Sequence, residues 1–354
     1  KCVVLMDGID EIDPSDVGDF QLKLDAFTDK YKSIQVILSS RMCDAVIGLN
    51  GYVPLYVWPF DPKQAEKLID KILIAEEKMN AKDSILEYLN NGFLGNESVF
   101  AKHPMLLTFI VRNQPLFDRF KRDRVLFYRK AYEALLSGHD DNKKPYDRIF
   151  YSVDNADQFS IVFREFCGKT YSKGALSFTD ASFDLYFNEL NSYKEFENPH
   201  KMTVRSFKHD ACATACMMYE KDLDLWYIDP GFQEFLFAEY YARAEKEEVL
   251  ELQQSLSRIP FAKLLRFDAL DMLYNFSEIK FKMYVLLPFL DSIFKGSDEE
   301  SFTNFLSMCF DKVNIVGFDE TTKAFFLHNL GINSMLYPSV ENYPNSILLN
   351  YVLR

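Results

Sequence analysis

The first apolar block, Val3-Val4-Leu5-Met6, carries no polar interruption and runs straight into Asp7, Gly8, Asp10 and Glu11. A run that short and continuous predicts a strand buried on both faces of a parallel sheet. Phe20, Leu22, Leu24 and Phe27 then lie among polar residues, as on a connecting helix that ends near Tyr31. Ile34 to Leu38 is a second short apolar run, closed by Ser39-Ser40-Arg41. Strand, helix, strand at this length predicts a right-handed crossover with both strand ends on one edge, which puts Arg41 near Asp7. A third short strand is expected over Tyr52 to Val57, stopped by Trp58-Pro59-Phe60-Asp61-Pro62. Asp61 is placed to cap the next helix and Pro62 to open it.

From here the period changes. Ala65, Leu68, Ile69, Ile72 and Leu73 recur at helical spacing. Further helices are expected around 82 to 91, 103 to 113 and 119 to 137, the last closed by Ser137-Gly138. Residues 138 to 157 are polar and read as a surface loop. A helix follows from about Gln158, with Gly168 expected at its C-terminal cap, and Phe178 to Leu190 looks like another amphipathic helix. Leu225 to Ile228 is a short strand. Asp229-Pro230-Gly231 turns from it into a helix bearing Phe232, Phe235, Leu236, Phe237, Tyr240 and Tyr241, with Gln233 and Glu234 on its exposed side. From about Glu245 the chain reads as all-helical, with turns at Arg258-Ile259-Pro260, Gly296 to Asp298 and Gly317, and without a fixed-period repeat. The fold class expected is α/β followed by mostly α.

The bulk properties narrow the functional classes. At 354 residues, 48% hydrophobic, with 33 Phe and 20 Tyr, the chain has apolar surface for two to four packed subdomains. A net charge of -13 argues against a nucleic-acid-binding surface and fits simple solubility. Six scattered cysteines read as reduced thiols of a cytoplasmic protein. No apolar stretch has the length a bilayer requires, so no membrane partner is expected. The chain opens Lys-Cys, inside an expected strand and without an initiator Met, and the apolar run Ser346 to Leu353 stops abruptly. An excised piece of a longer protein is expected.

Three carboxylates within five residues, Asp7, Asp10 and Glu11, repel one another unless a cation sits among them. A hydrated Mg²⁺ held by one or two carboxylates and by substrate phosphates meets that demand, and Gly8 lets the backbone pass close to a ligand. The plainer alternative is a solvated acidic turn, with Arg41 merely paired to local carboxylates. His103, without companion ligands, reads as a cap or surface residue. His209, Cys212 and Cys216 follow at helical spacing but lack a fourth zinc ligand, so buried thiols on a helix face are expected. Cys167-Gly168-Lys169-Thr170 imitates the end of a phosphate-binding loop, but Phe163 stands where the pattern needs Gly and the preceding segment is helical.

The order DGIDE (7 to 11), IQVILSSR (34 to 41), HPMLLTFI (103 to 110) and GFQEFLFAEYYA (231 to 242) resembles the NACHT branch of the STAND-type P-loop NTPases, over roughly the first 245 residues. The resemblance implies four parts: 1–60, the C-terminal part of the P-loop NTPase core; 61–118, a helical domain; 119–245, a winged-helix domain; and 246–354, a further helical domain. It implies that Asp7 holds Mg²⁺ through water, that Asp10 or Glu11 orients the attacking water, and that Ser40 and Arg41 sense the terminal phosphate of ATP. Pro104 would pack on adenine. Asp229 stands where the family commonly has a His touching the β-phosphate of ADP; an anion cannot donate to a phosphate, so the ADP-locked rest state does not carry over. No Gly-x-x-x-x-Gly-Lys-Ser/Thr occurs, so the phosphate loop is expected upstream of Lys1 or is absent, and this piece alone is expected to be inactive. The function implied is an ATP/ADP-dependent switch that oligomerises in immune or antiphage defence in answer to a pathogen-derived or protein trigger. The alternative is an inactive NACHT-like scaffold. A helicase or transporter ATPase is disfavoured by the acidity and the long helical tail.

Overall fold

The structure is a computed structural model that describes residues 2–9, 12, 16–40, 49, 51–55, 57–91, 99–137, 149–221, 224–245, 249–250, 268–288, 291, 310–319 and 324–332. Two compact units divide the chain: Lys1–Phe163 with Leu176–Phe232, and Arg164–Ala175 with Gln233–Arg354.

The first unit opens with β1 (Val3–Met6), α1 (Val17–Lys30) and β2 (Gln35–Leu38), the strand-helix-strand order expected. The strands pair parallel, Val3 against Gln35 through Met6 against Leu38. The ladder is bounded by Gln35 N to Cys2 O at 3.2 Å and Ser39 N to Met6 O at 2.9 Å. Burial on both faces is not what forms. Val3, Leu5 and Ile37 are exposed, while Val4, Met6, Val36 and Leu38 are half-buried. Two strands joined by one helix can cover one face only, so the side chains alternate as in any half-covered sheet. The third strand is also absent: the described part of 52–58 joins no ladder, and Val53, Leu55, Val57 and Trp58 are 84% to 99% exposed. Strand propensity alone does not make a strand; a neighbour must supply its hydrogen bonds, and no described strand does.

After that segment, Phe60 N bonds Lys102 O at 2.9 Å, and Asp61 and Gln64 form a capping box that opens α2 (Pro62–Ala75). Its apolar stripe buries Ala65, Ile69 and Leu73, as the spacing predicts. α3 (Lys82–Asn91), α4 (Val99–Lys102) and α5 (Pro104–Arg112) follow. The single helix expected over 119–137 is two: α6 (Phe117–Phe120) and α7 (Arg124–Ser137). Asp123 makes the break, accepting Leu126 N at 2.9 Å as the cap of α7. Tyr88 stacks on Phe117 with ring centroids 3.8 Å apart, and Phe100, Phe127, Tyr128 and Phe232 close a shared aromatic core.

Among the described residues of the polar stretch, Phe150, Ser152 and Val153 are buried, against the surface loop expected. The reason is Asp210, fully buried, whose carboxyl oxygens accept from Tyr151 N at 3.0 Å, Ser152 N at 2.7 Å, Ser152 Oγ at 2.5 Å and Thr214 Oγ1 at 2.9 Å. Once those donors have a partner the segment no longer needs water. α8 (Ala156–Ser172) begins two residues earlier than expected, with Asn155 Oδ1 accepting Gln158 N at 3.0 Å. Then come β3 (Ser177–Phe178), α9 (Asp180–Asn188, capped by Thr179) and α10 (Val204–His209), which runs on as a π-helical turn, Asp210–Thr214. β4 (Met218–Lys221) and β5 (Asp224–Tyr227) complete a three-stranded antiparallel sheet of order β3-β5-β4. Phe159 and Phe163 of α8, Phe183 of α9, Phe207 of α10 and Phe178 of β3 are fully buried.

The second unit holds the last turns of α8, α11 (Pro230–Arg243) from Gln233 onward, α12 (Asp268–Phe276) and α13 (Glu278–Phe281). Gly168 is not a cap. It lies inside α8, where an added Cβ would stand 2.3 Å from Tyr240 Cδ1, and the helix ends instead at Gly174, whose φ is +73°. Gln233 is not solvated either: it is fully buried, and its Nε2 donates to Thr170 Oγ1 at 3.1 Å and Ala175 O at 2.8 Å. Glu234 is half-buried and accepts Tyr171 Oη at 3.4 Å. Nor is the tail all-helical, since β6 (Phe310–Asp319) and β7 (Ala324–Ile332) pair antiparallel, with Gly317 inside β6 at a register shift rather than in a turn. The turns expected at 258–260 and 296–298 lie outside the described residues. Among the described residues no helix is long and apolar enough to cross a membrane.

Candidate functional site

Three places carry the predicted site residues. The first is the shared edge of β1 and β2. Gly8, at φ +79°, turns the chain so that Gly8 N and Ile9 N both donate to Ser39 O, at 3.1 and 3.2 Å. Ile9 is thereby buried, and Ser39 Oγ donates to Asp7 Oδ1. Asp7, Ser39 and Ser40 are exposed at this edge, so the two strand tips face the same way. Asp10, Glu11 and Arg41 lie outside the described residues. The oxygen donors at the tip are of the hard kind that Mg²⁺ takes, and that ion commonly uses one or two carboxylates with several waters. Among the described residues no group of three His, Cys, Asp or Glu gathers, so Asp7 by itself builds no closed metal cage.

The second is the start of α5. Pro104 occupies the first helical position and is exposed. His103 takes the cap position through its backbone, its carbonyl accepting Leu107 N at 2.8 Å, but its side chain makes no capping bond. Nδ1 is buried with no partner among the described residues, and burial pushes the imidazole below its ordinary value, which favours the neutral ring.

The third is the start of α11. Asp229 Oδ1 accepts Gly231 N at 2.8 Å and Tyr128 Oη at 3.2 Å. Burial raises its carboxyl above the ordinary 3.8, against the opposing pull of those two bonds and of the Arg124 charge. A group whose folded value is raised costs stability once it ionises. That cost is absent at low pH and complete above the raised value. Asp229→Asn keeps an acceptor for Gly231 N and loses the charge. Its stability relative to the parent is expected to improve as pH rises above 3.8 and then level off, in thermal unfolding at a series of pH values. Gly231 is fixed by its neighbour, because an added Cβ would stand 2.0 Å from Tyr128 Oη. Gly231→Ala is expected to cost about 1–3 kcal/mol in urea denaturation, with the Tyr128–Asp229 bond broken.

Tyr128 and Arg124 had no sequence signal beyond a helix-face aromatic and a helix-start cation. His209, Cys212 and Cys216 form no metal group among the described residues; against the buried thiols expected on one helix face, Cys212 and Cys216 are half-buried and Cys216 lies beyond the π-helical turn, while burial pushes the Cys212 thiol up to about 12. Comparison with protein-family models, with curated proteins and with solved structures finds no match.

Proposed function

We propose that this chain belongs to an ATP/ADP-dependent signalling switch of the NACHT/STAND type, cytoplasmic, which couples ATP binding and hydrolysis to self-oligomerisation in immune or antiphage defence. One observation carries the proposal: β1 and β2 are parallel, and their tips bring Asp7 and Ser39 into contact on one edge. In open α/β sheets that is the edge at which phosphates and metals bind. Asp7 would hold a Mg²⁺ through water, Asp10 or Glu11 would orient the attacking water, and Ser40 and Arg41 would sense the terminal phosphate. When bound, the ion would neutralise phosphate charge. Exposed Pro104 leaves room for a flat base. The order α8, β3, α9, α10, β4, β5 supports a winged-helix domain within 119–245. The open face of β1 and β2, and the described part of the apolar segment 52–58, which joins no ladder, support a P-loop sheet continued by strands other than those described.

The second reading, a NACHT-like scaffold without turnover, is supported by Asp229, whose carboxyl group already occupies the amide end of α11. Mass spectrometry of nucleotide released from the purified protein that carries this chain separates the two. Adenosine di- or triphosphate in near-stoichiometric amount supports the switch, and its absence even after incubation with Mg²⁺ and ATP supports the scaffold.

A further inference from the structure

A helix ends with backbone carbonyls that lack an intrahelical donor and carry a partial negative charge. At the end of α11, Tyr240 O is satisfied by Ala244 N at 2.8 Å. The next carbonyls are met by a side chain from elsewhere in the second unit. Lys280 Nζ stands 3.4 Å from Tyr241 O, 2.9 Å from Ala242 O and 2.6 Å from Ala244 O. An ammonium has three N–H donors, and here all three have a neutral carbonyl acceptor. Ser277 Oγ accepts Lys280 N at 3.4 Å, which caps α13 and fixes the base of the side chain that reaches across. Ala244 is buried beside the ammonium.

We infer that the C-terminal end of α11 is a monovalent-cation site made of three backbone carbonyls, which this protein fills with the ammonium of Lys280 and so uses as a clasp between α11 and α13. Such a site selects by donor geometry as well as by charge. A compact ammonium can direct three N–H groups at three converging oxygens; the flat fork of a guanidinium matches a carboxylate instead. Emptied of its lysine, the site is left with three converging carbonyls and room for a small cation that donates hydrogen bonds.

The test is thermal unfolding of the whole chain as parent, Lys280→Ala and Lys280→Arg. Each is measured in ammonium chloride and in tetramethylammonium chloride at matched ionic strength and referred to the parent in the same salt. Lys280→Ala is expected to lose about 2–4 °C in tetramethylammonium, and ammonium is expected to return at least half of that loss. Lys280→Arg is expected to stay low in both salts. Should Lys280→Ala fail to fold in tetramethylammonium, refolding in ammonium alone supports the site and failure in both salts overturns it. An alanine variant as stable as the parent, an equal response to the two salts, or full rescue by arginine also overturns it.

Discussion

Asp210→Ala is expected to destabilise the first unit by about 3–5 kcal/mol, a large part of the stability of a domain. The carboxyl group of Asp210 is the common acceptor for two backbone amides and two hydroxyls, from Tyr151, Ser152 and Thr214, at a fully buried position. Removing it leaves Tyr151 N and Ser152 N without that acceptor, and each unsatisfied buried donor costs about 1–3 kcal/mol. Phe150 and Val153, buried on either side, would lose their anchor with it. Asp210→Asn keeps one acceptor oxygen but turns an amide NH₂ toward donors, so an intermediate loss is expected. Ser152→Ala removes one bond to a charged acceptor and is expected to cost about 1.5–3 kcal/mol. Urea midpoints check all three. If Asp210→Ala leaves the midpoint within error of the parent, the segment 149–153 is held by something other than this carboxyl.

Asp10→Asn combined with Glu11→Gln, in the protein that carries this chain, is expected to lower ATP hydrolysis by about 10²–10⁴-fold while nucleotide binding is retained. The two residues follow the tip of β1, where Asp7 faces the end of β2. Amides at 10 and 11 can still hold a water but cannot take its proton, so the loss belongs to turnover. Steady-state phosphate release beside equilibrium nucleotide binding separates the two quantities. Undiminished turnover would remove Asp10 and Glu11 from the proposed chemistry.

What the sequence made legible was local. The strands β1 and β2 with the helix between them, the Asp61 cap with its Pro62 and the stripe of α2 were each marked by residues within a few positions of one another. Asp123 was also readable, since an Asp just ahead of an apolar-periodic run is a cap signal, here hidden inside a longer apolar pattern. Burial decided by distant partners was not readable. Ser152 finds Asp210 across 58 positions and Gln233 finds Thr170 across 63, so both read as solvent-facing polar residues in sequence. The exposed face of β1 has the same origin, because an apolar run states what a strand can bury and not which neighbours cover it. In Lys312-Val313-Asn314-Ile315-Val316, β-branched residues alternating with polar ones carried a strand signal that the surrounding helical period concealed.

The claim on which the function rests is that the edge shared by β1 and β2 holds a magnesium nucleotide through Asp7. Calorimetric titration of ATP into the protein carrying this chain, parent against Asp7→Ala, each with Mg²⁺ and with EDTA, tests it most directly. Affinity at least about tenfold weaker is expected for the variant in Mg²⁺, a difference of about 1.4 kcal/mol, with equal affinities in EDTA. Equal affinities under both conditions would contradict it.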